Sequence, residues 1–437
     1  MLTIRRTGAD RKEMARNVLV GVLVVYSVAH FFYSGVLLAN SRFLGGDFLS
    51  AFPGPLMFRA TQRWPSLARD WIVPAVVWNY GPVLHLVTFP FILAQTKTQA
   101  LHIIWMMDFV LLSATFAMWM KLLFPDHRRP LAYLILACIW LNYFPLLEAI
   151  VGRESEILEL FLVTWGVVAM QSRREVMAGL SFGVAAMIKF LPLIFLPYLL
   201  IKRYYRAFWT SAITVIAFAG VAQWLLGFEH SVTFMILSDH VHGRLVEAPY
   251  ANQALSDVLY KMFTVFNMYQ PHPNTLYPSV LRPLGRAIQM MVLAAVGRFL
   301  LRWRSCQFLE LECALLLVVM VLVAPHAHTY YFVFALPALS VGFAYWMHHP
   351  KGIPRVVKVL LTVALVLSGF LVPMKVFEFV TGLPGVIVAR VLQMYSLPAF
   401  GGVFAVLAMV ELHRIVRSQP PPLKAVPVTQ AGIALAG

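Results

Sequence analysis

Continuous apolar runs of about 20 residues constrain this chain more than any other feature, because a run of that length crosses the hydrocarbon core of a bilayer as one helix. A helix also satisfies its own backbone polar groups there. The runs do not alternate apolar with polar residues, which argues against a transmembrane β-barrel. Composition agrees: 60% of the 437 residues are hydrophobic and 12% are charged, against about half and about a quarter in an ordinary soluble domain. The expected fold class is an all-α polytopic membrane protein whose first partner is the lipid bilayer.

The formal net charge of +16 would suggest nucleic acid as a partner for a soluble chain. Here the basic residues fall in short loops. Arg5, Arg6, Arg11, Lys12 and Arg16 precede the first apolar run, and Lys202, Arg203 and Arg206 form another group; this is the Lys/Arg excess of cytoplasmic loops. No basic stripe with interleaved aromatics lies outside the apolar runs, so nucleic acid is not an expected partner. Cys138, Cys306 and Cys313 show no paired spacing and imply neither a disulfide frame nor a zinc site. The run over 17–40 is too long for a signal-peptide core and lacks a cleavage site. It reads as a retained anchor behind a cytoplasmic, basic stretch 1–16.

The organisation that follows is one transmembrane domain over 17–415 with outer loops at 41–75 and 228–286. Residues 416–437, opened by Pro420, Pro421 and Pro422, read as a disordered cytoplasmic tail. Within the first outer loop, 56–71 mixes aromatic and aliphatic residues with Arg, as an interfacial helix does. Further spans are expected at 101–124, 131–150, 157–171, 176–189 with 191–201, 207–227, 287–303, 311–324, 330–347, 356–373 and 394–414. Two topologies compete. In one, the chain reverses at Lys189 and segment 76–94, with Pro82 and Pro90, enters and leaves on one side. In the other, 76–94 spans and 176–201 is a single kinked helix, which would leave Arg128, Arg129, Arg173 and Arg174 outside. The positive-inside rule favours the first. Polar residues then gather at the non-cytoplasmic face.

Several groups at that face can carry chemistry, and each has a plainer reading. Asp47, in Gly45-Gly46-Asp47-Phe48, sits where a carboxylate could take the proton of an attacking hydroxyl; a loop acid or helix cap is the alternative. Gly152-Arg153-Glu154-Ser155-Glu156 and Glu159 place charges at membrane depth, where ionisable groups are costly. Arg153 at a helix start suits a phosphate, and a solvated hairpin tip is the other reading. Lys189 is a lone cation with no carboxylate nearby in sequence, at a helix end followed by Pro192; it either holds a lipid phosphate or snorkels. His240, His242 and Arg244, then Asn252 and Gln253, offer donors to phosphate and sugar hydroxyls. Asp239, His240 and His242 are too compact a group to define a metal site, and no metal or other cofactor is expected. His326, His328, Tyr330 and Tyr331 join two apolar runs, and an aromatic belt by itself accounts for the tyrosines.

Taken in order, the Gly-Gly-Asp after the first helix, Tyr80-Gly81-Pro82, the Gly152 tip, Ala178-Gly179-Leu180 leading to Lys189 and Pro192, Asn252-Gln253-Ala254-Leu255 and His328, Tyr331 and Pro337 resemble glycosyltransferase family 87. These are polyprenol-phosphate-sugar-dependent, α-mannosyltransferase-like enzymes of the C-type membrane fold. The resemblance implies about 11–13 spanning or half-spanning helices. It implies Asp47 as catalytic base and Lys189 as the carrier-phosphate lysine. Arg153, Glu154, His240, His242, Arg244, Asn252, Gln253, His328 and Tyr331 would bind donor phosphate or sugar, and Trp78 and Tyr80 would face the acceptor or form a gate. The implied partners are a polyprenyl-phosphate-linked sugar and a glycolipid or polysaccharide acceptor, with inversion at the transferred sugar; apart from the resemblance, a bacterial inner membrane is the expected location. Two departures bear on sugar identity and acceptor geometry: the usual Gly-Gln-x-Asn tip is Gly152-Arg153-Glu154-Ser155, and Gly81-Pro82 stands where Pro-Pro is usual.

A transporter or flippase of lipid-linked sugar is the main rival, and it should carry paired broken helices with charges near the bilayer midplane. No repeat of about 20–50 residues and no such inverted pair aligns in this sequence.

Overall fold

The computed structural model describes residues 8–34, 84, 97–125, 129–226, 252–262, 278–302, 308–369 and 395–418. Asp47, Trp78, Tyr80, His240, His242 and Arg244 lie outside these residues, as do the first outer loop and most of the second.

The described chain is helical. It comprises α1 (Gly8–Phe31), α2 (Lys97–Leu123), α3 (Pro130–Asn142), α4 (Phe144–Gly152), α5 (Glu156–Gln171), α6 (Glu175–Ile188), a 3-10 turn (Leu191–Ile194), α7 (Phe195–Ile201), α8 (Tyr205–Leu226), α9 (Leu255–Met262), α10 (Pro278–Arg302), α11 (Leu309–Leu322), a second 3-10 turn (Thr329–Phe334), α12 (Ala335–His348), α13 (Arg355–Gly369) and α14 (Leu397–Ser418). Five of these stretches are long and apolar enough to cross a membrane, or six if α3 and α4 are one span bent by 54°. The bend falls at Tyr143, which is extended at φ −75°, ψ 112°, and Pro145 lies in the first turn of α4, where its missing donor costs no helix bond. The buried Tyr143 hydroxyl then donates to Phe332 O at 3.2 Å and meets Ser368 Oγ at 2.9 Å. α1 starts inside the basic stretch expected to precede the first span, and α14 runs three residues past the expected domain end.

Two sets of contacts define opposite ends of the bundle. At one, Lys202 Nζ lies 2.5 Å from Glu312 Oε1, and His413 Nε2 lies 3.5 Å from the same oxygen. Tyr345 donates to Glu310 at 3.0 Å, and Arg129 donates to Met347 O at 2.9 Å. Exposed Arg173, Arg174, Arg203, Arg355 and Arg417 belong to this end, which we call the basic end. At the other, α4 passes to α5, α6 stops at Lys189, and the 323–328 linker joins α11 to the second 3-10 turn. α1 finishes and α2 begins near this end: His30 pairs with Asn142 at 2.8 Å, Phe31 packs edge-on against Phe109, and Ala100 and Ile104 cluster with Met187 and Ile188.

The course of α6, α7 and α8 settles the competing topologies of segment 176–201. α6 climbs from the basic end to Lys189, α7 returns to Lys202, and α8 climbs again beside α6. A Cβ at Gly179 would lie 2.7 Å from Thr210 Cβ, and one at Gly183 would lie 2.7 Å from Thr214 Cβ and 2.9 Å from Ser211 O. Two glycines a helical turn apart thus face the same side of α8. Lipid offers no hydrophobic drive for helices to associate, so close approach through small residues supplies the packing. The chain therefore reverses at Lys189, and the single kinked helix is excluded. α11 is sheathed by its neighbours, with every residue from Leu311 to Leu322 buried. Buried bonds tie the layers around it: Trp119 Nε1 to Thr164 Oγ1 at 3.0 Å and Trp140 Nε1 to Ser340 Oγ at 2.8 Å.

Candidate functional site

The site is built where three chain breaks meet at the end opposite the basic one. The first is the tip after α4. Arg153 closes that helix in the left-handed conformation, φ 55°, ψ 56°, with Glu154 N donating to Ala149 O at 3.0 Å. Such a cap is usually glycine, so an arginine here carries backbone strain. The residue is 1% exposed, and its guanidinium donates to Val151 O at 3.0 Å. Glu154 folds back over Gly152, where a Cβ would lie 2.6 Å from its Oε1. Ser155 donates to Glu159 Oε1 at 3.1 Å, and Glu156 and Glu159 occupy the first turn of α5, where carboxylates complement the helix dipole.

The second break is Lys189. α6 ends because Lys189 is extended, φ −134°, ψ 146°, and Pro192 begins the reversal. At 4% exposed, its ammonium makes a buried ion pair with Glu156 and sits 4.5 Å from the Tyr331 ring centroid and 5.6 Å from that of Tyr330. The local sequence offered no partner; the fold supplies one from 33 positions earlier. Snorkelling is thereby set aside, because the side chain is held inside rather than run out to water.

The third break is the linker after α11. His326 and His328 are 4.9 Å apart edge-on, His328 stacks on Tyr330 at 5.1 Å, and Tyr331 closes the group at 5.9 Å from His328. Asn252 and Gln253 hold this linker. The Asn252 carboxamide oxygen accepts from Ala327 N and Ala254 N, both at 2.9 Å, its nitrogen donates to Asp257, and Gln253 N donates to Ala327 O at 2.5 Å. Asn252 thus holds the backbone between the two histidines, where sequence led us to expect a ligand contact. Gln289 adds a second anchor, donating to Ala324 O at 2.8 Å and to Ser256 Oγ at 3.2 Å.

One chain of contacts therefore links Glu156, Lys189, the two tyrosines and the two histidines. Of the residues singled out from sequence, the structure brings Arg153, Glu154, Lys189, His328 and Tyr331 to one end. Sequence reasoning missed Asp108, which is fully buried, and Gln289. Asp108 had a legible signal, since a lone acid inside an apolar helix is functional by default. Among the described residues no group of three or more His, Cys, Asp or Glu could hold a metal ion.

An all-helical membrane protein with buried cations, carboxylates, imidazoles and phenols at one end of the bundle can bind an anionic, hydroxyl-rich lipid headgroup. The chain belongs to glycosyltransferase family 87, whose family model matches residues 78–325, more than half of its length; it is a membrane glycosyltransferase. Among solved structures it is similar to ArnT from Cupriavidus metallidurans in the apo state, at 15% identity and a TM-score of 0.39, over 92% of this chain and 78% of that one. No curated protein matches it.

Proposed function

We propose that the protein transfers a hexose, mannose in our reading, from a polyprenyl-phosphate-sugar to a glycolipid or polysaccharide acceptor at the non-cytoplasmic face of a bacterial inner membrane. The observation that carries this reading is the convergence of Arg153 and Lys189 with His326, His328, Tyr330 and Tyr331 at the end opposite the cluster of exposed arginines. In the reaction, an acceptor hydroxyl oxygen attacks the anomeric carbon and gives its proton to Asp47. The bond from that carbon to the phosphate oxygen breaks, its electron pair staying on the phosphate. Inversion needs the base and the leaving group on opposite faces of the sugar, as in inverting glycosidases. Lys189 and Arg153 stabilise the charge growing on the departing phosphate, and the His328, Tyr330 and Tyr331 rings offer a face and donors to the pyranose. The C-type membrane architecture implied by the family resemblance belongs to this same reading.

The test is transfer from a short-chain polyprenyl-phosphate-mannose by purified protein in detergent. Asp47→Ala is expected to fold and to lose transfer by about 10²–10⁴-fold, the usual contribution of a positioned general base. Lys189→Met is expected to lose donor binding as well as turnover. Full transfer by folded Asp47→Ala would remove Asp47 from the mechanism.

A further inference from the structure

One of the cations offered to the donor phosphate is already paired. Lys189 makes an ion pair with Glu156, which is itself fully buried. Glu154 and Glu159 of the same tip are buried as well. A site built only to hold phosphate would not need them, since each costs desolvation free energy and repels the ligand. The reaction itself supplies a reason. A polyprenyl-phosphate-sugar is a phosphodiester with one negative charge. When its anomeric C–O bond breaks, the electron pair remains on phosphate and the proton released by the acceptor goes to the base. The lipid left behind is a phosphomonoester, which carries close to two charges at neutral pH because its second pKa is about 6. The product is thus more tightly drawn to cations than the substrate is, and an unmodified pair of cations would retain it.

We propose that Glu156 is a specificity-determining and positioning residue which, by pairing with Lys189 over the Tyr331 ring, sets the site's net charge so that it accepts the monoanionic donor and releases the dianionic polyprenyl phosphate. This rests on the donor-phosphate role given to Lys189 above. Glu156 acts through Lys189: it fixes the ammonium against the tyrosines and sets how much of its charge the ligand feels.

The probes are farnesyl phosphate and its methyl diester, the same lipid with two charges or one. At pH 8 in detergent, wild-type protein is expected to bind the diester at least as tightly as the monoester. Glu156→Gln, which keeps a hydrogen-bond acceptor for Lys189 but not the charge, is expected to shift the preference toward the monoester by about ten-fold, an ordinary coupling between two sites. In transfer assays the same variant should show stronger inhibition by farnesyl phosphate with a smaller change in donor KM, and Glu156→Asp should restore the wild-type ratio. A purely structural role would weaken both ligands alike. Wild-type protein that binds the monoester more than ten-fold tighter than the diester overturns the proposal even if Glu156→Gln does not fold, as does an unchanged ratio in a folded Glu156→Gln. If wild-type protein binds neither lipid and transfers nothing from a polyprenyl-phosphate-sugar, the donor-site reading fails and takes this proposal with it.

Discussion

At the scale of single residues, the site end of the molecule keeps charges in places that cost free energy. Lys261 on α9 is 4% exposed. Burial pushes its ammonium down to about 7 from an ordinary value of 10.5, although nearby Asp257 acts the other way. Below pH 7 the folded and unfolded chains both hold this proton and stability does not depend on it. Between about 7 and 10.5 the unfolded chain keeps a proton that the folded chain has released, so stability rises with pH across that window. Thermal unfolding of purified protein between pH 6.5 and 9.5 should show the midpoint climbing above pH 7. In Lys261→Met the rise should be lost. An identical rise in the variant would assign it to other groups.

At the scale of elements, the decisive piece is the α6 and α8 pair, because α6 delivers Lys189 to Glu156. Gly183 faces Thr214 and Ser211 with no room for a side chain, whereas Gly220 and Gly297 have nothing within 4 Å and face outward on α8 and α10. Gly183→Leu is expected to cost roughly 1–3 kcal/mol by overpacking and to lower both the yield of folded protein and its transfer rate. Gly220→Leu and Gly297→Leu should be tolerated. Size-exclusion profiles and transfer assays on the three variants check this, and a well-folded, fully active Gly183→Leu would mean that α6 can shift without moving Lys189. The same element explains what sequence could and could not say. The break at Lys189 was legible from Lys-Phe-Leu-Pro after an apolar run, but its ion pair with Glu156 was not, because helix periodicity says nothing about which neighbour a helix end meets.

At the scale of the whole molecule, the arginine-rich end and the site end are opposite faces of one bundle, and the orientation we propose, arginine-rich end in the cytoplasm, is the one the positive-inside rule favours. Ser172 and Pro325 are exposed at the two ends. In intact cells, a membrane-impermeant maleimide should label Pro325→Cys readily and Ser172→Cys only after permeabilisation. The reverse pattern would put the site in the cytoplasm and overturn the proposed topology and donor together. The buried Lys202, Glu312, Tyr198 and His413 group locks α7, α11 and α14 at the basic end. Its pairing of Lys202 with Glu312, from helices far apart in the chain, again lay beyond local sequence.

Sequence alone determined the solvent and the secondary structure, because a hydrocarbon core admits only long apolar helices and closed barrels, and it located the polar breaks where chemistry could occur. Asp47, Trp78, Tyr80, His240, His242 and Arg244 lie outside the described residues, and their roles are proposed from the family resemblance. Tertiary structure alone decided which breaks meet: that Glu156 pairs with Lys189, that Asn252 spends its carboxamide on the histidine linker, and that the chain reverses at Lys189. Charges interact through distance in space and the dielectric between them, and neither quantity is written in the order of residues along the chain.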